Sequence, residues 1–352
     1  MQSYPAISRD NNFDLVRLFA ALQVVFFHVQ NRMDIVIPGM DWFRYLTGVP
    51  IFFTVSGFLI SASYVRNRNN RRYFVNRALR IYPAIYALIV ITTIAALACG
   101  DLGFGTLLLD DYRRWIISWV TIDQNFTPPI LRTFGIGTPN GSLWTIPVEL
   151  TFYLALPFLF KIKKKNRLFL TITLMYVLSL VSNYLFHDFQ ATHAVQSVFS
   201  FSLLPYLHYF LAGAVMYMMW DRIRIFIEDK FFCYFVPFVG LIVCYEFCPS
   251  FNVHPEMTIR TISGVLMNIL LALCTISAAF SFRRAARILH GNDLSYGIYL
   301  YHGLVINVLI ECCDDRSWIM YPAVYIISIV CAWFSWRYVE KPCLALKQKF
   351  IF

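Results

Sequence analysis

Successive apolar runs of about 20 residues, separated by short polar stretches, leave this 352-residue chain few folds to choose from. In hydrocarbon every backbone N–H and C=O must be paired inside the protein. A spanning segment is therefore a helix or a strand of a closed barrel. The runs here are unbroken and lack the two-residue alternation of barrel strands. They predict an all-α, polytopic membrane helix bundle. Composition agrees: 59% of residues are hydrophobic and 14% charged, against about 25% charged in soluble domains.

Ten segments read as spanning helices: 13–31, 43–65, 79–99, 143–160, 167–186, 198–220, 231–248, 259–280, 294–312 and 319–338. Loop charge tests the count. With a cytoplasmic N-terminus, the inside segments 1–12, 66–78, 161–167, 221–230, 281–293 and 339–352 carry twenty Lys/Arg. The outside segments 32–42, 100–142, 187–197, 249–258 and 313–318 carry five. Positive residues gather on the cytoplasmic side of spanning proteins, so count and orientation support each other, with both termini cytoplasmic. The net charge of +10 then faces cytoplasm and anionic lipid rather than nucleic acid. The polar N-terminus and the missing small-residue cleavage site read as a retained first helix. Residues 1–352 form one transmembrane domain, whose outer-face loop 100–142 is long enough to carry function or a partial interfacial helix.

The nine cysteines lie mostly within apolar runs, Cys248 among them, with no Cys-x-x-Cys or Cys/His metal spacing. No metal site is expected. Cys312 and Cys313 are adjacent near a helix end and open to oxidation.

The first run, FDLVRLFAALQVVFFHVQ, holds Arg17 and His28, eleven residues apart. Eleven steps of 100° return to within roughly 20° of the same helix face. An arginine within a membrane helix costs at least about 2.5 kcal/mol on insertion scales. Arg17 is either a snorkelling cation paired with Asp14 or an anion contact at the inner mouth of a cavity. His28 is either a hydrogen-bonded interior histidine or a general base. In RRYFVNRALRIYP, Arg77 and Arg80 share a face at the start of the third span. They are a topogenic cluster or a fork for the phosphates of a cytosolic donor. In SLWTIPVELTFYLALP, Glu149 complements a helix dipole or orients His28 or a substrate hydroxyl. Trp144 there is an interfacial anchor or a platform for a sugar ring. In SYGIYLYHGLV, His302 favours a structural or cavity-lining role over a catalytic one. Glu340 and Lys341 of RYVEKP read as a capping or interfacial charge cluster.

Taken in order, FDLVRLFAALQVVFFHV, VPIFFTVSGFLIS, RRYFVNRALRIYP, SLWTIPVELTFYLALP, SYGIYLYH and VEKP resemble the acyltransferase-3 family of membrane acyltransferases, over essentially the whole chain. The most specific parts are Arg-x10-His in the first helix and Arg-x-x-Arg opening the third. The resemblance implies transfer of an acyl group, acetyl above all, from cytosolic acyl-CoA (acetyl-CoA) to a hydroxyl of an exported or cell-surface glycan such as an O-antigen or exopolysaccharide. It implies a bacterial inner-membrane enzyme with no permanently bound cofactor. Its catalytic histidine falls on His28, the arginine partner on Arg17, the donor-binding arginines on Arg77 and Arg80, and the outer glutamate on Glu149. Trp144 and His302 are expected beside the acceptor. Ile146, Pro147 and Leu150 depart from the small polar and acidic residues common around that glutamate, and Gly303 stands where proline is frequent. The soluble esterase-like domain of many relatives is not present among these residues. The rival expectation is a transporter or flippase for a lipid-linked sugar or an anion, since many helices with intramembrane charges fit it too. A second is a sensor or assembly protein that keeps the fold without activity.

Overall fold

The structure, a computed structural model, describes residues 7, 10–66, 68–121, 123–188, 199, 202–247, 262–282, 285, 289, 291–313 and 317–348. Most of the predicted outer segments 187–197 and 249–258, the first residues of the predicted spans at 198 and 259, and Cys248 lie outside the described residues. So do parts of the predicted connecting segments 1–12, 281–293, 313–318 and 339–352.

Among the described residues all regular structure is helical. The helices are α1 (Phe13–Met33), α2 (Gly48–Arg66), α3 (Asn70–Cys99), α4 (Asp110–Val120), α5 (Thr145–Phe160) and α6 (Lys165–Asp188). There follow α7 (Leu207–Met218), α8 (Trp220–Ile227), α9 (Phe231–Phe247), α10 (Ile262–Phe280), α11 (Ser295–Cys312) and α12 (Met320–Ser335). Among the described residues six helical stretches are long and apolar enough to cross a membrane: Phe13–Met33, Asp41–Arg66, Asn70–Cys99, Asn166–Leu185, Ser263–Phe280 and Met320–Ala345. Thr145–Phe160 and Phe231–Phe247 are apolar but shorter. The fold is an all-α membrane helix bundle.

Three boundaries differ from the sequence reading. Helix α3 begins at Asn70, nine residues before the apolar run, so Arg77 and Arg80 sit two turns inside it rather than at its start. Arginine and alanine are strong helix formers, so the helix continues past the hydrophobic boundary. The segment predicted as one span at 198–220 breaks at Met219, and α8 follows as a short amphipathic helix that buries Trp220 and Ile227. Helix α12 runs on through a π-helical turn, Trp336–Glu340, into Lys341–Ala345. The 100–142 loop contains the partial helix expected of it, α4, which buries Trp115 and Trp119 and exposes Arg113 and Arg114.

The chain divides into two compact units. The first comprises Met1–Ala20, Trp42–Asn70 and Val148–Gly291. Its centre is the crossing of α2 and α7, where two glycines let backbone meet backbone. A Cβ on Gly57 would overlap the Phe210 carbonyl, and one on Gly213 would overlap the Thr54 carbonyl. Close small-residue crossings are how membrane helices gain packing energy when lipid is as apolar as their side chains. Phe152 of α5 stacks on Phe210 at 4.3 Å between centroids. Phe13, Phe58, Trp220 and Phe280 close the core around the crossing.

The second unit comprises Ala21–Asp41, Arg71–Pro147 and Asn292–Phe352. Helix α11 is its axis and is buried continuously from Gly297 to Asn307. Gly297 admits Ala332 of α12 at a separation that a Cβ would reduce to 2.8 Å. Tyr325 and Tyr321 of α12 donate to the carbonyls of Leu22 and Ile35, at 2.8 and 2.9 Å, so α12 also holds the second half of α1 and the turn after it. Helix α4 is pinned to α3 through the Tyr112 and Thr93 hydroxyls, 2.9 Å apart.

The glycine crossing predicts an asymmetry. Gly213→Val should destabilise the detergent-solubilised protein by roughly 1–3 kcal/mol or more, the cost of overpacking. Gly240→Val, at an exposed α9 position where a Cβ meets nothing, should leave the melting temperature unchanged or higher. Thermal melts of the two variants check this.

Candidate active site

Three side chains from separate parts of the second unit converge. His28 Nδ1 of α1 lies 2.7 Å from His302 Nε2 of α11. The Ser142 hydroxyl bridges the pair, at 3.2 Å from His28 Nδ1 and 3.1 Å from His302 Nε2. His302 is fully buried and its Nδ1 lies 3.1 Å from the Ile298 carbonyl. A carbonyl can only accept, so Nδ1 carries the proton and Nε2 of neutral His302 is a lone pair. That lone pair takes a proton donor, either His28 Nδ1–H directly or the Ser142 hydroxyl, which in turn accepts from His28 Nδ1–H. Both routes protonate His28 at Nδ1 and leave its Nε2 as the basic nitrogen. The Ile298 carbonyl thus sets the tautomer of His28 through His302. This is the base-with-an-orienting-partner arrangement of acid–base catalysis.

Ser142 is held there by its own loop. Asn140 donates from Nδ2 to the Leu300 carbonyl at 2.6 Å and accepts the Ser142 backbone N–H at 3.1 Å. Asn307 donates to the carbonyls of Thr138 and Pro139 and accepts the Ile136 N–H. Tyr299 donates to the Ser142 carbonyl at 2.8 Å. The 135–142 segment is therefore laced to α11 along more than two turns. Gly303 belongs to this device: a Cβ there would land on the Asn140 amide. Gly135, at φ +62°, brings the chain against Asn307 in a conformation that favours glycine.

A second cluster lies at the start of α11. Arg80 of α3 forms a salt bridge with Asp293, and its guanidinium lies 6.0 Å from the Tyr296 ring centroid and 5.9 Å from that of Trp336. Asp293 also accepts the Ser295 N–H at 3.2 Å. Glu340 is buried and accepts from Ser335 at 3.0 Å, in the electrostatic reach of Arg80. Of the two readings of Glu340 and Lys341, a cap or a charge cluster, Glu340 makes no side-chain cap hydrogen bond and lies buried among charges, those of Arg80 and Asp293. Arg77 and Arg80 both act on Lys347, in the C-terminal turn Leu346–Gln348. Burial first, then these two cations, bring the Lys347 ammonium down from 10.5 to about 8.

The remaining predicted residues sit as follows. Arg17 shares α1 with His28 and is paired with Asp14, as the three-residue spacing allowed. Glu149, in the first unit, accepts the Tyr153 hydroxyl and that of Ser56, the latter at 3.1 Å. Trp144 is half-buried two residues beyond Ser142. Sequence reading missed Ser142, Asn140, Asp293 and Lys347, and placed His302 as cavity lining rather than against His28. The signal for Ser142 and Asn140 was an Asn-Gly-Ser turn immediately before a helix, which names a turn but no partner. Among the described residues no group of His, Cys, Asp or Glu could hold a metal ion.

The second unit thus orients an imidazole in its interior and gathers cations near one end of α11. The family profile described as an acyltransferase domain matches residues 10–337, and the chain belongs to that family, acyltransferase-3. Nodulation protein 10 of Rhizobium leguminosarum bv. viciae is 31% identical over 362 residues, 97% of this chain and 95% of that one. An O-acetyl transferase of Shigella phage Sf6 is 30% identical over 186 residues, 50% of this chain and 54% of that one. Peptidoglycan O-acetyltransferase OatA of Listeria monocytogenes is 25% identical over 160 residues, 42% of this chain and 23% of that one. No solved structure matches. The protein is a membrane acyltransferase of the O-acetyltransferase type.

Two predictions follow from the geometry. Gly303→Ala should displace Asn140 and with it Ser142, lowering acyl transfer roughly 10²-fold, the cost of about 1 Å of misplacement, and lowering the melting temperature as well, since the displaced amide loses buried hydrogen bonds; paired activity and melting measurements check it. Lys347 has a folded pKa of about 8, below its ordinary 10.5. The unfolded chain therefore binds this proton more tightly, and its contribution to stability rises with pH between those values. Lys347→Met should be more stable than the parent at pH 7, with the advantage shrinking towards pH 10, as read by melts across that range.

Proposed function

We propose that the protein transfers an acetyl group from cytosolic acetyl-CoA to a hydroxyl of an exported glycan, across a bacterial inner membrane with both termini cytoplasmic. The His28–His302–Ser142 triangle carries this reading, because it supplies a base of defined tautomer inside a membrane bundle. The excess of Lys/Arg in the predicted inside segments supports the orientation. The names of the phage and Listeria relatives support O-acetyl transfer, and the latter supports a glycan acceptor.

Arg77, Arg80 and Lys347 receive the donor's phosphates. Three cations against Asp293 and Glu340 leave an excess of positive charge there, and guanidinium forks bind phosphate bidentately. Arg80 stays anchored by Asp293, so Arg77 and Lys347 make the new contacts. The pantetheine arm carries the thioester into the bundle. The acceptor hydroxyl gives its proton to His28 Nε2 as its oxygen attacks the thioester carbonyl. His28 Nδ1–H is steadied by His302 and Ser142 while the imidazolium exists. Collapse breaks the C–S bond, and the departing thiolate takes the proton back. Trp144 offers its face to the sugar.

The test is a reconstituted assay with acetyl-CoA and deacetylated surface glycan from the producing cells. The parent should release CoA and add acetyl esters to the glycan. His28→Ala should lose roughly 10²–10⁴-fold in rate, the range of general base catalysis. A glycan whose mass never changes would favour the transporter reading.

A further inference from the structure

Arg32 is the odd residue of the site. It follows His28 by four residues in α1, which puts it on the same face one turn further on. Its Nη1 is buried and has no hydrogen-bond partner, and no ion pair to Arg32 forms among the described residues. Its guanidinium rests on the bare Cα of Gly141, beside Ser142: a Cβ at Gly141 would come within 2.9 Å of Nη2. The charge is felt at both His28 and His302, and at Tyr299. A snorkelling arginine at a helix end turns its head to water and headgroups. This one turns inward, against the loop that carries Ser142. Arg32 as a whole is half-buried, yet a buried guanidinium N–H without an acceptor is costly unless an anion arrives.

We propose that Arg32 is a catalytic residue whose Nη1–H holds the oxyanion formed on the thioester carbonyl. The inference rests on the acyl-transfer reading above and deepens it. The electron balance is complete. The acceptor oxygen bonds to the carbonyl carbon, the C=O π pair moves onto the carbonyl oxygen, and the acceptor proton goes to His28 Nε2. The oxyanion is then the anion that Arg32 lacks in the resting protein. When it collapses, the C=O re-forms, the C–S bond breaks, and the thiolate leaves with the proton from His28. His28 and Arg32, one helical turn apart, flank one carbonyl: the base serves the attacking oxygen and the cation the developing charge. Such a donor contributes only while the charge exists, so it acts on turnover rather than on substrate affinity.

The experiment is steady-state kinetics on purified protein in lipid nanodiscs, with acetyl-CoA and deacetylated surface glycan as probes. Arg32→Gln should lower kcat by roughly 10²–10³-fold, the loss of one oxyanion donor, with both KM values near those of the parent. Arg32→Lys, which keeps the charge and guards against misfolding, should recover part of that loss. Guanidinium ion in solution should partly rescue Arg32→Ala. Arg32→Gln with an unchanged kcat overturns the proposal. So does a raised KM for the glycan with kcat retained, since Arg32 would then bind an acceptor anion in the ground state. A parent protein that releases no CoA from acetyl-CoA overturns the donor reading itself, and with it this role for Arg32. A parent that turns over normally beside an indifferent Arg32→Gln overturns the Arg32 role alone.

Discussion

Everything at the site hangs on the Asn140 side chain. Its amide takes the Leu300 carbonyl with one end and the Ser142 N–H with the other. In a low-dielectric bundle an unpaired amide costs several kcal/mol, so a satisfied one is a rigid joint. The joint fits only because position 303 has no side chain. Through it a loop from one end of the chain's middle section becomes a fixed part of α11. Ser142 then meets two imidazoles that come from residues 274 positions apart.

The second consequence of low dielectric is that every buried charge must be answered. Arg17 finds Asp14, and Arg80 finds Asp293. Glu149 takes two hydroxyls, and Glu340 takes Ser335. Two cationic places stand out among the described residues: Lys347 beside Arg77 and Arg80, and Arg32, whose buried Nη1 has no hydrogen-bond partner; both read as places prepared for negative charge that arrives with substrate. They sit in the unit that also holds the histidines, one near the start of α11 and one beside its midpoint. A phosphate-bearing donor and a developing oxyanion are the two anions that acyl transfer from a CoA thioester requires.

Much of the bundle was legible in advance. The 20-residue apolar runs dictated helices, because the bilayer admits little else. The co-facial spacing of Arg17 and His28 followed from helix geometry alone. Boundaries were less legible, because hydropathy marks where lipid ends and not where a helix does. Helix α3 keeps winding through polar residues for two turns beyond the apolar edge. The break at Met219 and the π-helical turn at Trp336–Glu340 have no hydropathy signature at all.

What the sequence by itself determined is the class of fold and the chemical inventory: a helical membrane bundle, an imidazole on the first helix, and a pair of arginines on the third. Those follow from local physics, since helix formation in lipid and charge placement depend on a residue and its near neighbours in the chain. What only the tertiary structure decided is which groups work together. His302 is a partner of His28 and not a bystander, Ser142 bridges them, Arg80 is anchored by Asp293, and among the described residues Arg32 forms no ion pair. Those pairings depend on backbones touching at Gly297 and on a loop seated against Gly303. No local pattern encodes such long-range contacts, because a glycine reads the same in sequence whether its missing Cβ faces open space or another chain segment.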